Sequence, residues 1–350
     1  MEVSQNRRIY MGYVLGIDGF ADVISALSVN YRIFAPVRKK GAGRFTDVDA
    51  VIYDEITDAG QMELEAKSDY ALKEFLTPLS ETLFYFTENE VKEADLDLKP
   101  VLLFGRSCDL HAIKRLDQIY LENGTAKDPF YQRRRDLVKF VLIGCGHSYD
   151  NCFCVSMGSN KYDDEYAFSV DVINGKIHAD VPDAEFDKVF KECGSGEMKD
   201  VTPRYVAKNE VRVEIPEEVP KEIMTDELWD EYTARCINCG RCNFACPTCT
   251  CYTMQDVFYS DNGRAGERRR VSASCMVDGY TDVAGGGQYR KTNGQRMRFK
   301  VLHKISDFRK RFGYQMCVGC GRCDDICPEY ISFSNIINKV NDAVKKEVNS

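Results

Sequence analysis

No apolar run in this 350-residue chain approaches membrane-spanning length; the longest candidates, 101–104 and 140–143, are short. The N-terminus, Met1-Glu-Val-Ser-Gln-Asn-Arg-Arg, leads into sequence broken by Gly and Asp and lacks a signal-peptide core. Prolines number only 10 and 44% of residues are hydrophobic, so a sizeable core is available and disorder is excluded as the main state. Basic residues are not in excess. With 47 Lys and Arg against 55 Asp and Glu, the net charge is −8, which argues against general nucleic-acid affinity. There is no Gly-x-Gly-x-x-Gly behind a strand, no Walker loop and no nucleophile elbow. Nothing identifies a flavin site, a nicotinamide site or a substrate acid–base pair. A cytoplasmic protein of about two domains, without a membrane span, is expected.

Cysteine is abundant but absent from the first hundred residues. Sixteen are present, none before Cys108, and eleven fall between Cys236 and Cys327. A secreted disulfide scaffold would be shorter and more evenly stapled, so reduced thiols serving as metal ligands fit better.

Residues 1–220 are expected to form a mixed α/β domain. Helix-spaced apolar residues run from Tyr70 to Pro78, and Val101-Leu-Leu-Phe-Gly suits a buried strand. Asp109 is placed to N-cap a helix carrying Leu110, Ile113, Leu116 and Ile119, which ends at Asn123-Gly124. A second strand, Leu137-Val-Lys-Phe-Val-Leu-Ile-Gly, then delivers Cys145. If the two strands are parallel neighbours, Cys108 and Cys145 lie at one sheet edge, where open α/β sheets bind ligands. Residues 166–172 and 211–215 are further strand candidates. Pro216-Glu-Glu-Val-Pro looks like a linker. Residues 221–350 are expected to be a helix-rich domain, opening near Thr225 and closing with Ile336, Ile337, Val340 and Val344 on one helical face.

That second part holds an internal repeat. Cys236-Ile-Asn-Cys239-Gly-Arg-Cys242-Asn-Phe-Ala-Cys246-Pro247 matches Cys317-Val-Gly-Cys320-Gly-Arg-Cys323-Asp-Asp-Ile-Cys327-Pro328. Each copy has bacterial ferredoxin spacing: three cysteines on a tight loop, and a fourth that reaches the other cluster. Cluster I is therefore assigned to Cys236, Cys239, Cys242 and Cys327, and cluster II to Cys317, Cys320, Cys323 and Cys246. Gly240 and Gly321 let the loops pass close to inorganic sulfide. Structural zinc also uses Cys-x-x-Cys pairs, but it has no need of the third overlapping cysteine or the proline.

The long insertion between the two motifs suits an α-helical ferredoxin variant. From 264 to 311 it carries thirteen basic against four acidic residues, a net of +9, which leaves −17 elsewhere given the total of −8. Three readings stand: compensation of anionic clusters, docking of an acidic partner, or a solvated basic face.

Cys108, Cys145, Cys152 and Cys154 form a looser set at the predicted sheet edge, enough for a third [4Fe-4S] cluster, with Asp109 or His147 as alternative ligands. Zinc and inert thiols are the rival readings. Cys193, Cys249, Cys251 and Cys275 close no ligand set and are expected to be buried small side chains. The lone histidines His111, His178 and His303 are expected to be structural.

Several motifs together carry a family resemblance: Cys108-Asp-Leu-His-Ala-Ile, Arg133-Arg-Arg, Cys152-Phe-Cys, Cys246-Pro-Thr-Cys-Thr-Cys, Ala284-Gly-Gly with Tyr289-Arg, and Cys317-Val-Gly-Cys-Gly-Arg-Cys. Over nearly the whole chain the sequence resembles the A subunits of anaerobic sulfite reductases, and the same set is similar to the β subunits of NAD(P)-linked sulfhydrogenases. The first resemblance implies an electron-transfer subunit between an NADH-oxidising flavin subunit and a sirohaem subunit that reduces sulfite. The second implies the same relay serving a hydrogenase. A cluster-holding scaffold without turnover is the reading from a different class.

Overall fold

The computed structural model describes residues 12–43, 47–97 and 99–349, so the N-terminal octapeptide lies outside the described residues. β1 (Gly12–Leu15) leads into α1 (Ile17–Ser28), and β2 (Arg32–Lys39) pairs antiparallel with β3 (Ala50–Ile56). β4 (Ser80–Phe86) and β5 (Val91–Glu93) form a separate hairpin. Next come β6 (Val101–Arg106), α2 (Ser107–Asp117), α3 (Pro129–Arg135) and β7 (Val138–Ile143). β8 (Phe168–Ile173), β9 (Lys176–Asp180), α4 (Ala184–Cys193) and β10 (Glu197–Lys199) follow.

Eight of these strands make one sheet in the order β10-β1-β9-β8-β7-β6-β2-β3, with β2, β6, β7 and β8 parallel. Every residue of β6 is buried, because helices cover both faces. Leu102 and Phe104 enter the core beneath α1 and α4, whereas Val101 and Leu103 enter the one beneath α2 and α3. This is the two-residue alternation of a strand buried on both sides. β6 and β7 are parallel neighbours, so Ser107 and Gly144 leave the sheet at the same edge.

Three local expectations change. α2 starts at Ser107, so Asp109 sits inside its first turn and accepts a hydrogen bond from the Arg106 backbone N–H at 3.2 Å. Residues 72–75 form only a short 3-10 turn, with Lys73 turned inward. Residues 211–215 join no sheet. Their backbone is bound by side chains instead, Val213 N–H donating to Ser156 Oγ at 3.2 Å and Glu214 N–H to Asn338 Oδ1 at 3.0 Å.

The remaining chain contains α5 (Asp230–Arg235), α6 (Arg241–Phe244), β11 (Tyr252–Phe258), β12 (Gly266–Ser272), α7 (Asn293–Leu302), α8 (Phe308–Phe312), α9 (Arg322–Asp325) and α10 (Phe333–Asn349). It is only partly the helix-rich unit expected. β11 and β12 form a hairpin that pairs with β4, giving the sheet β11-β12-β4-β5. Arg270 of β12 anchors it through a buried ion pair with Glu81 of β4 at 2.7 Å. Ile336, Ile337, Val340 and Val344 of α10 are buried together against Trp229, Val301 and Ile305. Each such side chain stabilises by roughly 1.5–3 kcal/mol. Among the described residues no helix is long and apolar enough to cross a membrane.

Candidate cluster sites

The two motif loops share one backbone conformation. Asn238 and Gly240 in the first, and Gly319 and Gly321 in the second, all have φ between 60° and 73°. Each loop then enters a single helical turn, α6 or α9, so three cysteines of each motif face one side. In the second loop glycine is required twice over. A Cβ on Gly319 would lie 2.6 Å from the Phe153 backbone, and one on Gly321 2.4 Å from the Asn151 carbonyl oxygen.

Cys236, Cys239, Cys242 and Cys327 line one cavity, with Cys323 at its border to the second, closed by Met276, Met297 and Phe333. Cys246, Cys317, Cys320 and Cys323 line a second, beside Phe153 and Val318. In both, the last cysteine of a motif joins the first three of the other copy. Among the described residues no three His, Cys, Asp or Glu side chains converge around a single metal ion. Four thiols around a largely apolar cavity fit a cubane instead. Burial pushes the thiol pKa of Cys317 up to about 12 and that of Cys320 up to about 11.

Three lysines surround these thiols. Lys73, Lys300 and Lys304 are 8%, 3% and 2% exposed, and among the described residues none forms an ion pair with a carboxylate. Lys73 Nζ donates to the Cys249 carbonyl at 2.8 Å, and Lys304 Nζ to Thr248 Oγ1 at 2.8 Å. Lys300 Nζ lies 5.5 Å from the Phe333 ring centroid. Burial opposes charge on Lys300, yet the surrounding cysteine sulfurs, Cys242 and Cys323 foremost, outweigh it and hold its pKa well above the ordinary value. For Lys304 burial is likewise overcome, by Cys246, Cys249 and Cys317. Lys300 and Lys304 are four residues apart, on α7 and on the π-helical turn His303–Asp307 that continues it, so they share a face. Part of the basic segment is therefore internal and addressed to the thiols.

The looser set lies against the second motif loop. Cys108 is in the first turn of α2 and Cys145 follows β7, while Cys152 and Cys154 lie on the next loop. Their thiols sense one another electrostatically, Cys108 with Cys154, and Cys145 with Cys152. The Asn209 amide stands 3.6 Å from Cys154 Sγ. Cys152 Sγ lies 3.4 Å from the Cys320 carbonyl oxygen, and Phe153 N–H donates to the Gly319 carbonyl at 2.8 Å. Ser159 Oγ adds a bond to the Val318 carbonyl at 2.6 Å.

Burial, and next the Asp109 carboxylate, push the Cys108 thiol pKa up, so Asp109 lies near these thiols, but its carboxylate is already engaged. Its carboxylate is paired with Arg322 at 2.7 Å in an ion pair whose members are 0% and 1% exposed, and Tyr53 donates to it at 3.3 Å. The His147 ring packs on Tyr149. Replacing Asp109 with Ala leaves Arg322 buried and unpaired between the looser set and the second motif loop. Denaturant titration is expected to show a loss of about 3–5 kcal/mol. A loss below about 1 kcal/mol would mean that water reaches Arg322.

Residues 235–331, which contain all eight motif cysteines, match the family described as a 4Fe-4S dicluster domain. The chain is 33% identical over 350 residues to sulfhydrogenase 2 subunit beta of Pyrococcus furiosus, an alignment covering 95% of this chain and 100% of that one. The chain belongs to the family of sulfhydrogenase beta subunits. As a member of that family with a dicluster domain, it carries two [4Fe-4S] clusters and is an iron–sulfur electron-transfer protein of an oxidoreductase. No solved structure matches it.

Sequence reasoning offered cluster compensation as one reading of the whole 264–311 segment of this beta-subunit relative, but it singled out neither Lys300 nor Lys304 and did not include Lys73. The i, i+4 spacing of Lys300 and Lys304, interleaved with Met297, Val301 and Ile305, was the available signal. Sequence reasoning placed Cys249 and Cys251 directly after the first motif, but nothing in the sequence joined Cys275 to them; the fold brings Cys275 beside Cys251 through Asn243.

Proposed function

We propose that this chain is the electron-relay subunit of a cytoplasmic, multi-subunit, NAD(P)-linked hydrogenase of the sulfhydrogenase type. The observation that carries this reading is identity to a sulfhydrogenase beta subunit along the full length of both chains. In the proposal Cys236, Cys239, Cys242 and Cys327 hold cluster I, and Cys317, Cys320, Cys323 and Cys246 hold cluster II. Cys108, Cys145, Cys152 and Cys154 hold a third [4Fe-4S] cluster. Residues 1–220 and 221–350 are the two proposed domains. When bound, the clusters supply one-electron transfer.

The chain's own residues set the order. Cys239 is exposed, flanked by exposed Ile237 and Tyr330, so the first quartet is the one open to a partner subunit. The second quartet is buried between the first and the looser set, which supports a linear arrangement with cluster II in the middle. The sulfite reductase reading, with its flavin and sirohaem partners, rests on motif resemblance alone.

The test is anaerobic purification of the native complex through a tag on this chain. Co-purification of a nickel–iron subunit with hydrogen-dependent NAD(P) reduction is expected, and Cys320→Ser should lower iron content and stop that turnover. A sirohaem spectrum with sulfite-dependent NADH oxidation would overturn the hydrogenase reading and leave the relay role in place.

A further inference from the structure

Three cysteines outside the proposed ligand sets lie together beside the first motif. The sulfurs of Cys275 and Cys251 lie 3.1 Å and 3.9 Å from one nitrogen, Nδ2 of Asn243, whereas Cys249 N–H donates to the Cys246 carbonyl at 3.4 Å. Backbone geometry holds the first pair together. β11 and β12 are in register from Tyr252 opposite Ser272, and Ala273 N–H donates to the Cys251 carbonyl at 2.9 Å, so the ladder closes between the two cysteines.

One amide connects this pair to the first cluster quartet. Asn243, 1% exposed, donates from Nδ2 to Cys275 Sγ at 3.1 Å, and the same nitrogen is 3.9 Å from Cys251 Sγ. Its Oδ1 lies 3.8 Å from the sulfur of Cys242. A single side chain therefore spans from a proposed cluster I ligand to both members of the pair. The pair is also reachable. Cys275 is buried, but Cys251 lines a cavity with Lys73, Asn243, Cys249 and Arg270.

We propose that Cys251 and Cys275 are a redox-active dithiol that exchanges an electron pair with the iron–sulfur clusters. In the oxidising direction both S–H bonds break and one S–S bond forms. Two protons leave to water through the cavity lined by Cys251. Two electrons leave singly to the [4Fe-4S] clusters, each of which takes one. In the reducing direction the disulfide takes up two electrons from the clusters and two protons from water. The pair thus gives a chain of one-electron centres a place to hold two electrons. Asn243 is a positioning residue that holds the two sulfurs beside Cys242. The inference rests on the cluster assignment proposed above, and its test separates the two.

The experiment uses the full-length, cluster-loaded protein, poised anaerobically at a series of potentials, quenched with an alkylating reagent and mapped by mass spectrometry. A Cys251–Cys275 cross-linked peptide is expected at oxidising potentials and two alkylated thiols at reducing ones. Coulometric titration of Cys275→Ser should take up two electrons fewer per chain than the parent protein, with iron content and cluster EPR signals unchanged. Both cysteines alkylated as free thiols at every potential would overturn the proposal. So would loss of iron from the Cys275→Ser protein, because the pair would then be ligands. The parent protein alone decides the cross-link, so a variant that fails to fold leaves the proposal testable. Iron content and EPR of the parent protein report separately on the cluster assignment.

Discussion

Stripping iron from this chain is expected to collapse the half that contains Trp229 while leaving the large sheet folded. The reason is electrostatic. Lys73, Lys300 and Lys304 are buried, and none pairs with a carboxylate among the described residues; what surrounds them is sulfur. Thiolates bound to iron carry negative charge, whereas free Cys317 and Cys320 thiols, with pKa values raised by burial, are neutral near pH 7. Removing the clusters therefore replaces most of the negative charge facing these buried lysines with neutral thiols, a loss worth several kcal/mol against folding for each lysine that stays charged. That sum is comparable to the whole net stability of about 5–15 kcal/mol of an ordinary domain. The large sheet has its own two cores, so it should survive. The single tryptophan is Trp229, 5% exposed in the core that includes Cys275 and Cys317, so its emission reports on the right half. Chelation should shift that emission to the red and greatly lower the unfolding midpoint, and anaerobic reconstitution should restore both. An unshifted emission with iron fully removed would show that the lysines find other partners.

Lys304→Met is expected to lower the potential of one cluster, and Lys300→Met to lower two. A buried cation favours the reduced, more negative form of a nearby cluster, so its removal makes reduction harder. A unit charge roughly 6 Å away at an effective dielectric of about 20 is worth ~3 kcal/mol, or roughly 0.1 V for a one-electron couple. Lys304 is felt by Cys246 and Cys317 of the second quartet. Lys300 is felt by Cys242 of the first and Cys323 of the second. Methionine preserves much of the side-chain volume, so packing is largely kept. EPR-monitored redox titration separates the two variants by how many signals move. Potentials unmoved in both would assign the lysines to folding alone.

The two motif loops were legible because their information is local. Three cysteines within seven residues, with glycine or asparagine where the backbone turns left-handed, specify a loop whatever surrounds it. The strands carrying Leu102 and Val141 were legible for a similar reason, since burial on both faces forces an unbroken apolar run. The contacts that assemble the site are not local. Asp109 and Arg322 are 213 residues apart, and each looks solvated when read in isolation. Residues 70–78 have helical spacing, yet only a short turn forms, with Lys73 drawn inward to the Cys249 carbonyl. Cys251 and Cys275 carry no spacing signature, because the hairpin that joins them is recognisable only once β12 has found β4.

That hairpin also bears on how the protein is made. Phe86 of β4 pairs with Gly266 of β12, residues separated by 180 positions. As the chain leaves the ribosome, β4 emerges with β5 on one side and a bare edge on the other, and it keeps that edge until more than three-quarters of the protein has been synthesised. An edge with Phe84 and Phe86 invites pairing with other chains. The strand that finally covers it belongs to the half that needs iron. In an iron-starved cell, newly made chains would therefore be exposed to aggregation at a strand that itself contains no cysteine.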